Sequence, residues 1–127
     1  MKDIVTECGV WRRGNVGVAD SEGNIIHMGA LPHLIPSLMD DLLSWTENAS
    51  INMLIKSAVF HAEFEMIHPF RDGNGRIGRL WHSLLLSNHD PIYSLLPIET
   101  MILKKQEEYY HALNITSVTG DSSAFVN

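Results

Sequence analysis

Cysteine is nearly absent. One residue, Cys8, in a chain of 127 excludes an internal disulfide and a cysteine-built metal cluster. A reducing compartment suits such a chain, and a cytoplasmic location is the expectation. Positive charge is also scarce: nine Lys and Arg against fifteen Asp and Glu leave a formal charge of −6. Nucleic acid and anionic membranes are polyanions, so neither is expected as a partner. No apolar run is long enough to span a bilayer, and no signal peptide is legible. Repeats, low-complexity tracts and internal linkers are missing too. Two N-x-Ser/Thr sequons, at Asn48 and Asn114, read as chance without a secretory signal. What remains is ordinary globular composition, 45% hydrophobic and 19% charged, which fits one domain over residues 1–127.

Periodicity divides that domain into a hairpin and helices. Residues 10–30, "VWRRGNVGVADSEGNIIHMGA", alternate at Val16 and Val18, turn through Asp20–Asn24, and return at Ile25-Ile26. Their short arms and glycines predict a mobile β-hairpin flap. Residues 36–48 predict a helix with Pro36 in its first turn and Leu38, Leu42 and Trp45 on one face. A second helix is expected over 52–66, with Ile55, Val59, Ala62 and Met66 as its stripe, because Pro69 cannot lie in a helix interior. A third is expected over 75–88, buried through Ile77, Leu80, Leu84 and Leu85, and a fourth over 97–113. The closing "TGDSSAFVN" reads as a turn and the start of another helix.

Between the second and third helices lies "HPFRDGNGR", residues 68–76. A helix N-terminus presents unpaired N–H groups and a positive dipole end, which together hold an anion. Gly73 and Gly75 let the backbone approach a phosphate and adopt positive φ, and Asn74 can add a side-chain donor. Arg76 and Arg79 are three apart, hence on one face, and can grip one polyphosphate. Asp72 supplies a carboxylate suited to Mg²⁺ bridging phosphate oxygens. His68 is the right type for a general base near neutral pH. Taken singly, each residue has a plainer reading, as a packed loop, a turn or a solvated helix charge. All of them in order within twelve residues point to transfer of a phosphorus group from a nucleotide to a hydroxyl. Phe70 reads as the apolar anchor of the loop.

The stretch "HPFRDGNGRIGR", residues 68–79, matches the Fic motif HPFx(D/E)GNGRxxR without a departure, and the chain is identified as a member of the Fic family. "GVWRRGNVGV", "LPHLIPSLMDDLLSWTEN" and "YYHAL…TGDSSAFV" resemble the family's flap, the helix after it and its closing segment, so the resemblance covers nearly the whole chain. It implies an all-α Fic fold, a helical bundle with one β-hairpin flap. It also implies protein adenylylation, in which AMP passes from ATP·Mg²⁺ to a Ser, Thr or Tyr hydroxyl and pyrophosphate leaves. His68 would be the base, Asp72 the metal ligand, and Gly73, Asn74 and Gly75 the anion hole. Arg76 would hold the phosphates and Arg79 the γ-phosphate end. The target protein would add a strand to the flap. Tyr110 is a candidate for the adenine pocket, against a competing reading as a half-core helix residue.

Other readings remain beside this one. Some relatives transfer phosphate or other phosphate-containing groups, although the kinase-like Doc branch lacks the Gly-Asn-Gly that this chain keeps. A non-catalytic interaction module on the same fold would be favoured by a motif missing its histidine or arginines. His61, Glu65 and His68 have zinc-site spacing, but that reading leaves Asn74, Arg76 and Arg79 without a task. His27, His33, His82, His89 and His111 read as solvated or core histidines. Members of the family often carry an inhibitory helix of pattern Ser/Thr-x-x-x-Glu-Gly/Asn. Here Glu22-Gly23 follows Val18 and Glu47-Asn48 follows Leu43, so neither fits. A domain trimmed at both ends is therefore expected. The oligomeric state stays open, a homo-oligomer included.

Overall fold

The computed structural model describes residues 9–19 and 22–95, with Lys105, Glu108, His111 and Ala112 beyond them. The fourth predicted helix, the closing stretch and Tyr110 otherwise lie outside the described residues. The architecture is helical with one small hairpin. Strands β1 (Gly17–Ala19) and β2 (Ile25–Met28) pair antiparallel, and three helices follow, α1 (Ile35–Asn48), α2 (Met53–Ile67) and α3 (Asn74–His89). The hairpin register sets Gly17 opposite Met28 and Val18 opposite His27, with a bulge between Val18 and Ala19. No helix among the described residues is long and apolar enough to cross a membrane.

Local chemistry sets the helix ends. Pro36 sits in the first turn of α1, where a missing N–H costs nothing. Asn52 caps α2, its Oδ1 accepting the Leu54 N–H at 2.8 Å. The last turn of α2 closes with the His68 N–H on Phe64 O at 2.9 Å, and Pro69 then bars another turn. The buried Lys56 reaches from α2 to donate to Thr46 O at 2.9 Å, a cation at the C-terminal end of α1.

α2 runs between α1 and α3. Its Phe60, Phe64 and Ile67 join Ile35, Met39 and Leu42 of α1 in the core, with Ile77, Trp81 and Leu85 of α3 packed against them. Phe60 and Phe64 stack at 6.0 Å, and Phe60 meets Trp81 at 5.6 Å. This placement corrects two expected faces. The stripe predicted for α2 fails at Ile55, which is exposed, while Ser57, His61 and Glu65 are buried. A helix flanked on two sides has no single inward face. On α3, Leu80 and Leu84 are exposed. The inward row is Ile77, Trp81 and Leu85, because Gly78 lies directly against α2 and fixes the helix's rotation. A Cβ at Gly78 would stand 2.6 Å from Glu65 Oε1 and 3.2 Å from Phe64 Cδ1.

Phe60 is fully buried at the junction of the three helices. Phe60→Ala should therefore lose about 3–5 kcal/mol of stability, read as a lowered urea midpoint. A midpoint within error of the parent's would show that Phe60 does not hold the helices together.

Candidate active site

Residues 68–73 carry the chain from the end of α2 to the start of α3. His68 is left-handed, with φ 52° and ψ 61°, the one non-glycine with positive φ among the described residues. Gly73, at φ 80°, caps α3 in the same region, where a side chain would be strained. The loop is closed by Asn74, which is buried. Its Oδ1 accepts the Phe70 N–H at 2.8 Å and its Nδ2 donates to Phe70 O at 2.7 Å. Phe70 packs on the core and tilts against Trp11 at 5.3 Å, the anchoring expected of it. Asp72 Oδ1 accepts the Gly73 N–H at 2.7 Å.

The loop and α3 open onto a cavity of about 490 Å³. His68, Asp72 and residues 73–76 line it together with Arg71 and Arg79, and Val16 and Gly17 of the flap line it too. The first intrahelical bond of α3 runs from the Ile77 N–H to Gly73 O, at 3.0 Å. The N–H groups of Asn74, Gly75 and Arg76 therefore belong to the open helix terminus, a natural anion site. Two details depart from expectation. The Asn74 side chain is engaged by Phe70, so this residue meets an anion through its backbone. Gly75 is helical, and its lack of a side chain makes room for Arg79, whose Nη1 would lie 3.0 Å from a Cβ there.

Arg76 Nη2 lies 3.9 Å from Asp72 Oδ2, and both side chains are more than half exposed, so this pair adds little stability and leaves both groups available. One accessible carboxylate beside arginines and an anion-binding helix end fits Mg²⁺ held jointly with phosphate oxygens, since that ion takes few protein ligands. Among the described residues no group of three or more His, Cys, Asp or Glu is placed to hold a metal, so His61, Glu65 and His68 make no zinc site.

Beneath the cavity lies a buried polar layer. Glu65 Oε2 is 4.0 Å from His68 Nδ1, and Glu65 Oε1 has no hydrogen-bond partner. Burial raises the Glu65 pKa to about 7, while the charge of Arg79 pulls it down. The His61 ring stands 5.4 Å from that of His82. Burial, followed by the charges of His82 and Arg79, lowers the His61 pKa to about 4 against a backbone hydrogen bond at Gly78. His68 is also lowered to about 4. Burial is the main cause, the charges of Arg12 and His27 push the same way, and the Glu65 backbone opposes them. His68 is thus neutral at physiological pH and able to accept a proton.

Sequence reasoning named the motif residues that gather here, but gave Arg12 no role of its own. Arg12 is buried against the corner that carries His68, and His27 binds the same helix end, its Nε2 2.8 Å from Met66 O. A carbonyl can only accept, so that nitrogen carries the hydrogen.

The sequence model of the Fic/DOC family matches residues 1–86. A crystal structure of a Fic family protein from Desulfovibrio desulfuricans superposes with a TM-score of 0.92 at 45% identity, covering 99% of this chain and 38% of that one. A probable protein adenylyltransferase of Aquifex aeolicus is 36% identical over 86 residues, 62% of this chain and 27% of its own. The protein adenylyltransferase fic-1 of Caenorhabditis elegans is 32% identical over 100 residues, 75% of this chain and 18% of its own. The chain thus spans roughly a quarter or less of these two curated relatives.

The buried layer should show in the pH dependence of stability. The Glu65 pKa rises from 4.5 to about 7 on folding, so its stabilising contribution is complete below pH 4.5 and lost as pH rises through 7. Glu65→Gln removes that titration. Its melting temperature relative to the parent's should climb between pH 4.5 and 7. A difference that stays flat across this window would show that Glu65 ionises alike in the folded and unfolded chains. His61 and His68, lowered from 6.5 to about 4, act oppositely: both forms of the protein lose stability as pH falls through that range.

Proposed function

The chain belongs to the Fic/DOC family, and from that premise we propose that it transfers AMP from ATP to a Ser, Thr or Tyr hydroxyl of a target protein. The observation that carries this reading is the cavity in which a neutral, partly buried histidine faces an open helix N-terminus flanked by Arg76 and Arg79. The curated relatives' names, protein adenylyltransferases, support the same reaction.

The triphosphate lies against the N–H groups of residues 74–76, with Arg76 on the phosphates and Arg79 toward the γ end. The target hydroxyl approaches from the flap side, past Val16 and Gly17. Its oxygen attacks the α-phosphorus in line. The new O–P bond forms as the bond from the α-phosphorus to the bridging oxygen of pyrophosphate breaks, and the hydroxyl proton passes to His68. Burial holds the His68 pKa at about 4. The negative charge of the nucleotide favours the imidazolium and so strengthens the base when the proton must move. A Mg²⁺ ion held by Asp72 and phosphate oxygens would neutralise charge on the α- and β-phosphates. The fixed N–H groups and arginines hold the charge that develops on the phosphorus oxygens, without reorganising as it forms.

The flap is proposed to align an extended target segment by strand addition. The adenine pocket is proposed to include Tyr110, outside the described residues.

Parallel incubations with α-labelled and γ-labelled ATP test the reaction. Label from the α position on protein is expected, and it should fall about 10²–10⁴-fold in His68→Ala while ATP binding persists. Label from the γ position alone would replace adenylylation with a kinase reaction.

Asp72 is tested by titrating Mg²⁺ against nucleotide affinity. Asp72→Ala should bind ATP more weakly, and its affinity should respond less to Mg²⁺. A metal dependence identical to the parent's would leave Asp72 only its contacts with the Gly73 N–H and Arg76.

A further inference from the structure

Arg12 carries a charge, yet it is 2% exposed. Among the described residues, its side-chain hydrogen bonds all go to main-chain carbonyls. Nε donates to His68 O at 2.6 Å and Nη1 to Gly14 O at 2.9 Å. Nη2 donates to Ala30 O at 2.5 Å and to Ile67 O at 3.1 Å. Its own N–H donates to Pro69 O at 3.0 Å. Gly14 precedes β1 and Ala30 follows β2, so one guanidinium holds both ends of the flap. Ile67 and His68 end α2, where the helix dipole places negative charge that offsets the buried cation.

The contact with His68 fixes more than a helix end. A left-handed non-glycine persists only where its surroundings impose it. Holding the His68 carbonyl constrains ψ, and with φ this sets the direction in which the imidazole leaves the backbone. Gly29 permits the arrangement. A Cβ there would stand 2.5 Å from Arg12 Nη2 and 3.1 Å from His68 Cβ. None of the hydrogen bonds of Arg12 among the described residues reaches residues 71–79, the proposed nucleotide cradle.

We propose that Arg12 is a positioning residue of the transfer reaction, joining the flap and the backbone of His68 into one unit, so that the target strand and the base are aligned together. The proposal rests on the adenylylation reading above.

Arg12→Lys keeps the positive charge, but a single ammonium cannot reproduce the guanidinium's fork. With α-labelled ATP and the chain's own hydroxyls as acceptor, the maximal rate at saturating ATP should fall about 10- to 100-fold, because small misplacements of a base cost that much. The dissociation constant for ATP should change less than about twofold, since the cradle is untouched. Gly29→Ala, which keeps the arginine but whose Cβ would crowd its guanidinium out of position, should give the same split. A purely structural arginine would instead weaken ATP binding along with the rate. An undiminished maximal rate in folded Arg12→Lys overturns the proposal.

Amide hydrogen exchange supplies a readout independent of activity. In both variants the amides of Gly29 and Ala30 in the flap and of His68 at the helix end should exchange faster together, while that of Ile77 in α3 should not change. Loosening of the flap without His68 would overturn the coupling even if the rate fell. A parent chain that transfers no label defeats the adenylylation reading and the catalytic part of this proposal, and the exchange result still decides the coupling.

Discussion

The last carbonyls of a helix have no following turn to receive hydrogens from, and a buried helix end must find donors elsewhere. α2 ends in the middle of this protein, and its carbonyls are met from outside the helix. Met66 O is 2.8 Å from His27 Nε2 of β2. Ile67 O accepts from Arg12 Nη2 and from the Ala30 N–H at 3.2 Å, and His68 O and Pro69 O accept from the Arg12 side chain and N–H. The donors come from the flap and the segment leading into it. A hairpin with such short strands has little to hold it by itself. It stays against the bundle because the end of α2 needs its donors, and it thereby forms a wall of the cavity.

Two helix ends of opposite polarity face this corner. The C-terminal end of α2 carries partial negative charge and receives a buried cation. The N-terminal end of α3 carries partial positive charge and has no acidic residue in its first turn. That end stays open to an anion, with Arg76 and Arg79 reinforcing its sign. The net charge of −6 makes this contrast meaningful: an acidic chain that sets Arg71, Arg76 and Arg79 around one small cavity suits a compact anion better than a polymer.

Much of this was legible in the sequence. The predicted helices at 36–48, 52–66 and 75–88 lie within a residue of the observed bounds, because proline and the cap residues mark ends locally. The motif gathered as expected because its residues are consecutive on one loop and one helix turn. Faces were harder. Leu80 and Leu84 make a plausible stripe by spacing, but Gly78 determines which side of α3 meets α2, and a missing side chain adds nothing to apolar periodicity. Arg12 was not legible at all. Its side chain's partners are carbonyl oxygens up to 56 residues away, and a carbonyl carries no residue identity that a sequence pattern could register. Asn74 misled in a similar way: its amide looked like a donor for phosphate, whereas it closes the loop on the backbone of Phe70.

The same distinction separates recognition from positioning in this site. The groups proposed to meet a nucleotide, the N–H groups of residues 74–76 with Asp72, Arg76 and Arg79, are local in sequence and line the cavity, with Asp72 and Arg76 exposed. The charged groups behind His68 are buried. Arg12 acts on His68 from the flap side, and Glu65 lies between His68 and the charge of Arg79 on the α3 side. Burying an ionisable group is costly unless something offsets it. For Arg12 the offset is a ring of carbonyls. For Glu65 it is incomplete, with one oxygen lacking a hydrogen-bond partner and a pKa near 7. Burial without a full set of partners makes Glu65 costly to stability. Its presence beneath His68 and Arg79 ties the electrostatics of both ends of the motif to a single side chain.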